Sequence, residues 1–252
     1  MKKNLKKIYL LFSSLVIGLL HFPFGIAKSA VSHRTVFKVS VDSSGNNSTP
    51  DENPELTPTT KSVYDSLHLN LKGLSKEAFE YAKEGFEKLL AEGVDISNSV
   101  ISIIDFSQPS SKKRLFILDL QHYKLLFNTL VAHGRNTGKE IASFFSNQSQ
   151  SYQSSPGFYI TKETYQGKNG YSLKLEGIER GINDNAYDRG IVIHGAGYVS
   201  QSYVDAQGYI GRSQGCPAIP ENMTYPVINT IKGGSLVFIY HPSYISKSKL
   251  LN

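Results

Sequence analysis

The spacing of hydrophobic residues changes several times along the chain, and each change predicts a different kind of segment. Lys2, Lys3, Lys6 and Lys7 precede a short apolar run from Ile8 to Leu20, which His21 and Pro23 interrupt and Gly25-Ile26-Ala27 follow. A basic start, an apolar core too short to span a bilayer and small residues behind it predict a secretory signal peptide over residues 1–27, with cleavage after Ala30 as the alternative. Residues 28–60 are rich in Ser, Thr, Asn and Pro and show no apolar period, which predicts a disordered linker. Residues 61–98 change to a helical period. Ser75 is an N-cap with Glu77 in the first turn, and Ala78, Ala82, Phe86 and Leu89 recur at helical spacing. Phe79 and Leu90 widen that stripe and Gly93 supplies the stop.

From residue 99 the runs become short and strand-like. VISIIDF (100–106), RLFILDL (114–120) and LLFNTLVA (125–132) are separated by links of hairpin size, so they predict an antiparallel meander. His122 reads as a turn residue, and His133-Gly134 ends the third strand. The polar stretch 136–155 predicts a surface loop, and Phe158 to Ile160 a short strand. Lys168-Asn169-Gly170 is a hairpin turn that lets Tyr171 to Leu175 pair back. Gly181 to Asp188 is loop. The apolar run Ile191-Val192-Ile193 then stops at His194-Gly195. A short helix around Val227–Lys232 and a buried strand from Gly234 to Tyr240 close the pattern. Many short strands with little helix predict a mainly β domain over 99–242, preceded by the helical segment 61–98 and followed by a tail, 243–252.

Composition narrows the partners. The formal net charge is +6, which suits an acidic surface such as a cell wall or an anionic membrane face. The cations are scattered and no RNA- or DNA-binding motif is present, so no nucleic-acid partner is expected. There is no Cys-x-x-Cys, no His-Glu-x-x-His and no Gly-rich phosphate loop before a helix, so neither a metal nor a cofactor is expected.

Cys216 is the one cysteine, and an exported chain with one thiol cannot close an internal disulfide. Gly215 and Pro217 flank it, which places it in a turn rather than a core strand. A thiol becomes a nucleophile when a base takes its proton or a cation stabilises the thiolate. His194, at a strand end, is the candidate base. Pro217 has no N–H, so oxyanion donors must come from Cys216, Gly215 and Gln214. Pro217 also suits the first position of a helical turn, which would put Cys216 where the dipole favours a thiolate. These residues support cysteine acyl chemistry and leave a buried structural thiol open.

The stretches Ser155-Pro156-Gly157-Phe158-Tyr159, Glu163-Thr164-Tyr165-Gln166-Gly167, Gly170-Tyr171-Ser172-Leu173, Ile191-Val192-Ile193-His194-Gly195-Ala196 and Gly211-Arg212-Ser213-Gln214-Gly215-Cys216-Pro217-Ala218 carry a resemblance. Over about Ile101 to Tyr240 the chain resembles the L,D-transpeptidase catalytic domain (YkuD-like) family, in its murein branch. The resemblance implies a β-sandwich or barrel. It also implies Cys216 as nucleophile, His194 as its base, and the Gly195 carbonyl as the group that orients His194. Gly215 and Cys216 N–H groups would hold the oxyanion, with Ser213 and Gln214 supporting the loop. Arg212, Tyr165 and Tyr171 would contact the donor peptide. Gln214 stands where other members have a second His, Pro217-Ala218 replaces an apolar-Arg/Asn pair, and the loop from His194 to Cys216 is slightly longer. The implied activity is acyl transfer between peptidoglycan stem peptides, donor and acceptor, through a thioester, in the periplasm or cell envelope and without membrane insertion after signal cleavage. An L,D-carboxypeptidase or cysteine peptidase using the same site, and a catalytically idle wall-binding protein, remain open alternatives.

Overall fold

The computed structural model describes residues 62–252. The signal peptide expected over 1–27 and the linker over 28–60 lie outside the described residues. After a short helix α1 (Val63–Ser66), α2 (Lys76–Ala91) begins where Ser75 Oγ accepts from Ala78 N at 3.2 Å. Strands β1 (Val100–Asp105), β2 (Leu115–Asp119) and β3 (Lys124–Thr129) form the expected antiparallel meander. A hairpin of β4 (Gly157–Gly167) and β5 (Gly170–Gly177) follows, then β6 (Val192–Gly195), α3 (Gln201–Gln207) and β7 (Ala218–Ile219). A 3₁₀ turn (Glu221–Met223) leads to α4 (Thr224–Ile231), β8 (Leu236–Tyr240) and α5 (Pro242–Ile245).

The strands join one mixed eight-stranded sheet in the order β3-β2-β1-β8-β4-β5-β6-β7. Only β1–β8 and β6–β7 pair in parallel. The sheet curls until its ends nearly meet, because the chain beyond β3 bridges to the last strand through Ala132↔Ala218 and Gly134↔Ser213. The result is the mainly β domain that the strand pattern predicts, in the nearly closed barrel form that the resemblance implies.

Alternation along β8 shows how the core is divided. Leu236, Phe238 and Tyr240 face one hydrophobic cluster with Phe79, Ala82 and Leu89 of α2. Val237 and Ile239 face a second one with Val227, Ile228 and Ile231 of α4. Successive strand residues point to opposite faces, so a strand buried on both sides must be apolar throughout. The helix at the N-terminal side therefore shares a core with the sheet. Leu90, expected to widen its buried stripe, is instead 47 % exposed.

Three other expectations change. The strand at Phe158–Ile160 extends through Gly167, because its outer half is a hairpin arm exposed on both faces and so lacks an apolar period. The third strand stops at Thr129, where the chain leaves β2 to reach β7. The loop 136–155 is not simply superficial: Ala142 is buried, and so are Thr137, Ser154 and Ser155, whose hydroxyls bond to backbone. The C-terminal segment is likewise packed in. Glu179, itself buried, accepts from Phe158 N (3.0 Å), Tyr244 OH and Ser248 Oγ (2.6 Å), so the carboxylate that burial would penalise fastens residues 244–248 to β4. Among the described residues no helix is long and apolar enough to cross a membrane.

Gly85 marks the closest approach of α2 to the sheet. A Cβ there would lie 2.0 Å from Cζ of Phe158, whose ring stacks on Phe238 at 4.2 Å and cannot retreat. Helix propensity alone would make Gly85→Ala stabilising by about 1 kcal/mol. Overpacking of this kind costs about 1–3 kcal/mol, so we expect a net loss of stability. A denaturation midpoint that moves upward in urea would contradict this packing.

Candidate active site

The β6–β7 ladder is short and decides the site. His194 is the register partner of Ala218 on one side and of Ser172 on the other. Cys216, two residues before Ala218, is thereby carried to the same end of the sheet as the imidazole. Both line a cavity of about 670 Å³.

His194 is buried, and its Nδ1 lies 2.9 Å from Gly195 O. A carbonyl can only accept, so Nδ1 carries the proton and Nε2 of the neutral ring keeps its lone pair. Burial pushes the imidazole below its ordinary pKa, and the Gly195 carbonyl only partly opposes this.

The turn that presents Cys216 is held by hydroxyl groups. Ser213 Oγ accepts from Gly215 N (3.0 Å) and donates to Cys216 O (2.6 Å). Its backbone pairs with the segment after β3, Ser213 N to His133 O at 2.9 Å and Arg135 N to Ser213 O at 2.8 Å. From the other side, Ser154 Oγ accepts from Gly134 N (3.0 Å) and donates to Gly215 O (2.9 Å). Gly215 sits at φ +122°, with Gln153 O 2.8 Å from where a Cβ would be, so only glycine fits. The Gly215 N–H expected to serve an oxyanion is thus already bonded to Ser213, which leaves Cys216 N–H of the expected pair. The helical turn expected after Pro217 does not form. Residues 218–219 are drawn into β7 by their ladder with β6, so no helix dipole acts on the thiol.

The partly buried thiol of Cys216 donates to Gly190 O at 3.7 Å. Burial raises its pKa, against the opposing pull of the Val192 N–H, the Arg189 charge and its own N–H. Both members of the pair are therefore shifted toward neutrality in the resting site: neutral thiol, neutral imidazole.

Arg189 was visible in the sequence only as a charged residue before a strand. In the structure its guanidinium bonds Ser146 O (2.8 Å), Ser155 Oγ (2.7 Å), Gln153 O (2.6 Å) and Ser151 Oγ (3.3 Å), clamping the 146–155 loop beside the thiol. Tyr198 also lines the cavity, its phenol raised to about 12 by burial first and the nearby Cys216 second. Arg212, Ser213 and Gln214 line the cavity as well, and Arg212 Nη1 donates to the carbonyls of Arg135 (3.3 Å) and Gly138 (3.2 Å). Tyr165 and Tyr171 do not line it. Tyr171 stacks on Tyr225 at 4.8 Å and bonds Asn229 Oδ1 at 3.1 Å, and Tyr165 lies against Gly167 on the exposed hairpin arm. His133 stays behind the site, fully buried, accepting from Arg114 Nη2 at 2.8 Å and held neutral with a pKa of about 3 by burial and by that guanidinium.

Ser154→Ala leaves two buried groups, Gly134 N–H and Gly215 O, without the side chain that joins them. Unsatisfied buried polar groups cost about 1–3 kcal/mol, so we expect a loss of that size in urea unfolding, with faster amide exchange at Gly134. Unchanged stability and protection would show that the hydroxyl does not brace the turn.

A family model described as L,D-transpeptidase catalytic domain matches residues 70–240. The chain matches none of the curated proteins. Among solved structures, it is similar to an L,D-transpeptidase from Mycobacterium smegmatis (11 % identity, TM-score 0.36, covering 57 % of this chain and 59 % of that one). It is also similar to L,D-transpeptidase 3 from Mycobacterium tuberculosis (13 %, 0.35, 57 % and 61 %) and to an L,D-transpeptidase from Stackebrandtia nassauensis (13 %, 0.35, 63 % and 65 %). The chain spans about three fifths of the length of the solved structures it matches. The family model runs from the segment before α2 to the last residue of β8 and takes in the His194 strand and the Cys216 turn, and the chain belongs to the L,D-transpeptidase catalytic domain family.

Proposed function

We propose that the chain is a cysteine L,D-transpeptidase that joins peptidoglycan stem peptides through a thioester. The observation that carries this reading is the shared cavity of Cys216 and His194, with His194 Nδ1 bonded to Gly195 O so that the basic Nε2 is left for the reaction. As Cys216 Sγ adds to the carbonyl of the meso-diaminopimelate L-centre, Nε2 of His194 takes the thiol proton. Cys216 N–H stabilises the oxyanion. The imidazolium then protonates the departing amine of D-alanine, leaving the acyl group on sulfur. An acceptor amine attacks the thioester, His194 takes its proton, and the thiol is restored with a 3→3 cross-link formed. Ser213 and Gly215 hold the turn that aims the sulfur, and Arg212 contributes positive charge to the donor side. In this reading residues 1–27 direct export to the cell envelope and 28–60 tether the catalytic domain of 99–242, with 61–98 as its preface and 243–252 as its C-terminal segment.

The test uses a carbapenem as a trap for the nucleophile. Intact-mass spectrometry of the wild type is expected to show one covalent adduct, and Cys216→Ala none; equal labelling of both would remove Cys216 from the reaction. Isolated sacculi treated with wild type should gain 3→3 dimers in muropeptide analysis, whereas trimmed tripeptides without dimers would assign the site to hydrolysis. His194→Ala should lower turnover by about 10²–10⁴-fold, the usual worth of a positioned base.

The pKa directions give a second expectation. A raised thiol pKa means that alkylation of Cys216 by iodoacetamide is slow at pH 7 and climbs as pH passes above the ordinary thiol value of about 8.5. A lowered imidazole pKa means that turnover holds as pH falls through about 6.5 and is lost only below it, when Nε2 is protonated. A fast alkylation plateau between pH 6 and 7 would indicate a resting thiolate–imidazolium pair instead.

A further inference from the structure

The β4–β5 hairpin carries Lys162, Lys168 and Lys174. Lys162 pairs with Glu176 at 2.6 Å and Lys174 with Glu163 at 2.8 Å, each across the ladder to the neighbouring strand. Lys168, at the exposed tip, has no ion-pair or hydrogen-bond partner among the described residues, and of the three it is the one that lines the cavity of Cys216 and His194. Arg212 lines the same cavity. Its Nη1 is held by two carbonyls, while among the described residues Nη2 and Nε bond nothing. The third cation, Arg189, is occupied by the 146–155 loop. Among the described residues no Asp or Glu lines this cavity.

Uncompensated cations gathered around one cleft repel each other and focus a positive potential into it. On this hairpin the chain supplies a carboxylate for every lysine except the one facing the cavity. The missing partner is then a group of the ligand, and a carboxylate is what an ammonium and an open guanidinium edge are suited to bind.

We propose that Lys168, with the open edge of Arg212, reads carboxylates on the bound stem peptide, so that the cavity selects stems whose side-chain carboxylates are free over stems in which they are amidated. The inference rests on the stem-peptide reading above. A primary amide has nearly the shape of a carboxylate but lacks its charge and turns an N–H₂ donor toward donors, so the discrimination is electrostatic rather than steric. Lys168 stands on a turn closed by the Gly167↔Gly170 pair, away from the hydroxyl network that holds the thiol, so it acts on binding and not on the nucleophile.

The test is equilibrium binding, by calorimetry, to the full chain carrying Cys216→Ala. The probes are two synthetic tetrapeptide stems that differ only in free against amidated side-chain carboxylates. An exposed ion pair is worth up to about fivefold in affinity, so two such contacts should favour the free stem by about 5–10-fold. That ratio should shrink as salt is raised. Adding Lys168→Met should bring the ratio toward one, and Lys168→Arg should keep it. Equal affinity for the two stems, or a ratio that Lys168→Met leaves unchanged, overturns the carboxylate selection while the stem-peptide reading stands. Binding of neither stem overturns both.

Discussion

The two-rung parallel ladder between β6 and β7 is the constraint on which the site depends. A parallel pair needs a crossover, and here the crossover is the long excursion through α3. It returns the chain beside β6 with Ala218 opposite His194, so an imidazole and a thiol distant in sequence reach one cavity. So short a ladder is weak by itself. It is fixed from outside by the bridge of Ala132 to Ala218, which also closes the sheet. Barrel closure and assembly of the site are therefore one event, and the small cluster of Leu130, Ala132, Ala196, Val199, Ile210 and Ala218 is the apolar seal behind both.

The turn that carries Cys216 is built differently from the barrel. Apolar burial on both faces of β1 and β8 fixes the sheet, whereas the Cys216 turn is set by hydroxyls and carbonyls in a polar pocket. Ser154 and Ser213 hold Gly215 from opposite sides, and Arg189 clamps the loop that contains Ser154. Buried hydrogen bonds are individually modest but directional, and leaving one partner unsatisfied is costly. This lets the turn keep a backbone conformation that Gly215 alone tolerates, at a place where no apolar side chain could be packed without filling the cavity.

Much of this was legible in the sequence where a local period reports burial. The strands of the meander, the hairpin at Lys168-Asn169-Gly170, the Ser75 cap and the last strand all follow from spacing and turn chemistry. The β1–β8 pairing was not, because parallel pairing across most of the chain leaves no local trace. Helix α3 buries no residue and so has no stripe to read. In the site, His194 and Cys216 stood out as a strand-end histidine and a lone thiol. Arg189 and Ser154 did not, since a charge before a strand and a serine in a polar loop look solvated until their partners are known. Tyr165 and Tyr171 illustrate the converse: Tyr171 stood in an expected strand and Tyr165 beyond the end of one, and which face of the hairpin each occupies depends on register and on Tyr225 arriving from α4.

The electrostatics of the pair fit a thiol that must wait. Oxidation of cysteine follows thiolate character and exposure, and Cys216 is the one cysteine of the sequence. Burial shifts Cys216 toward the thiol and His194 toward the neutral base, while Arg189 and the Val192 N–H lower the cost of ionisation only in part.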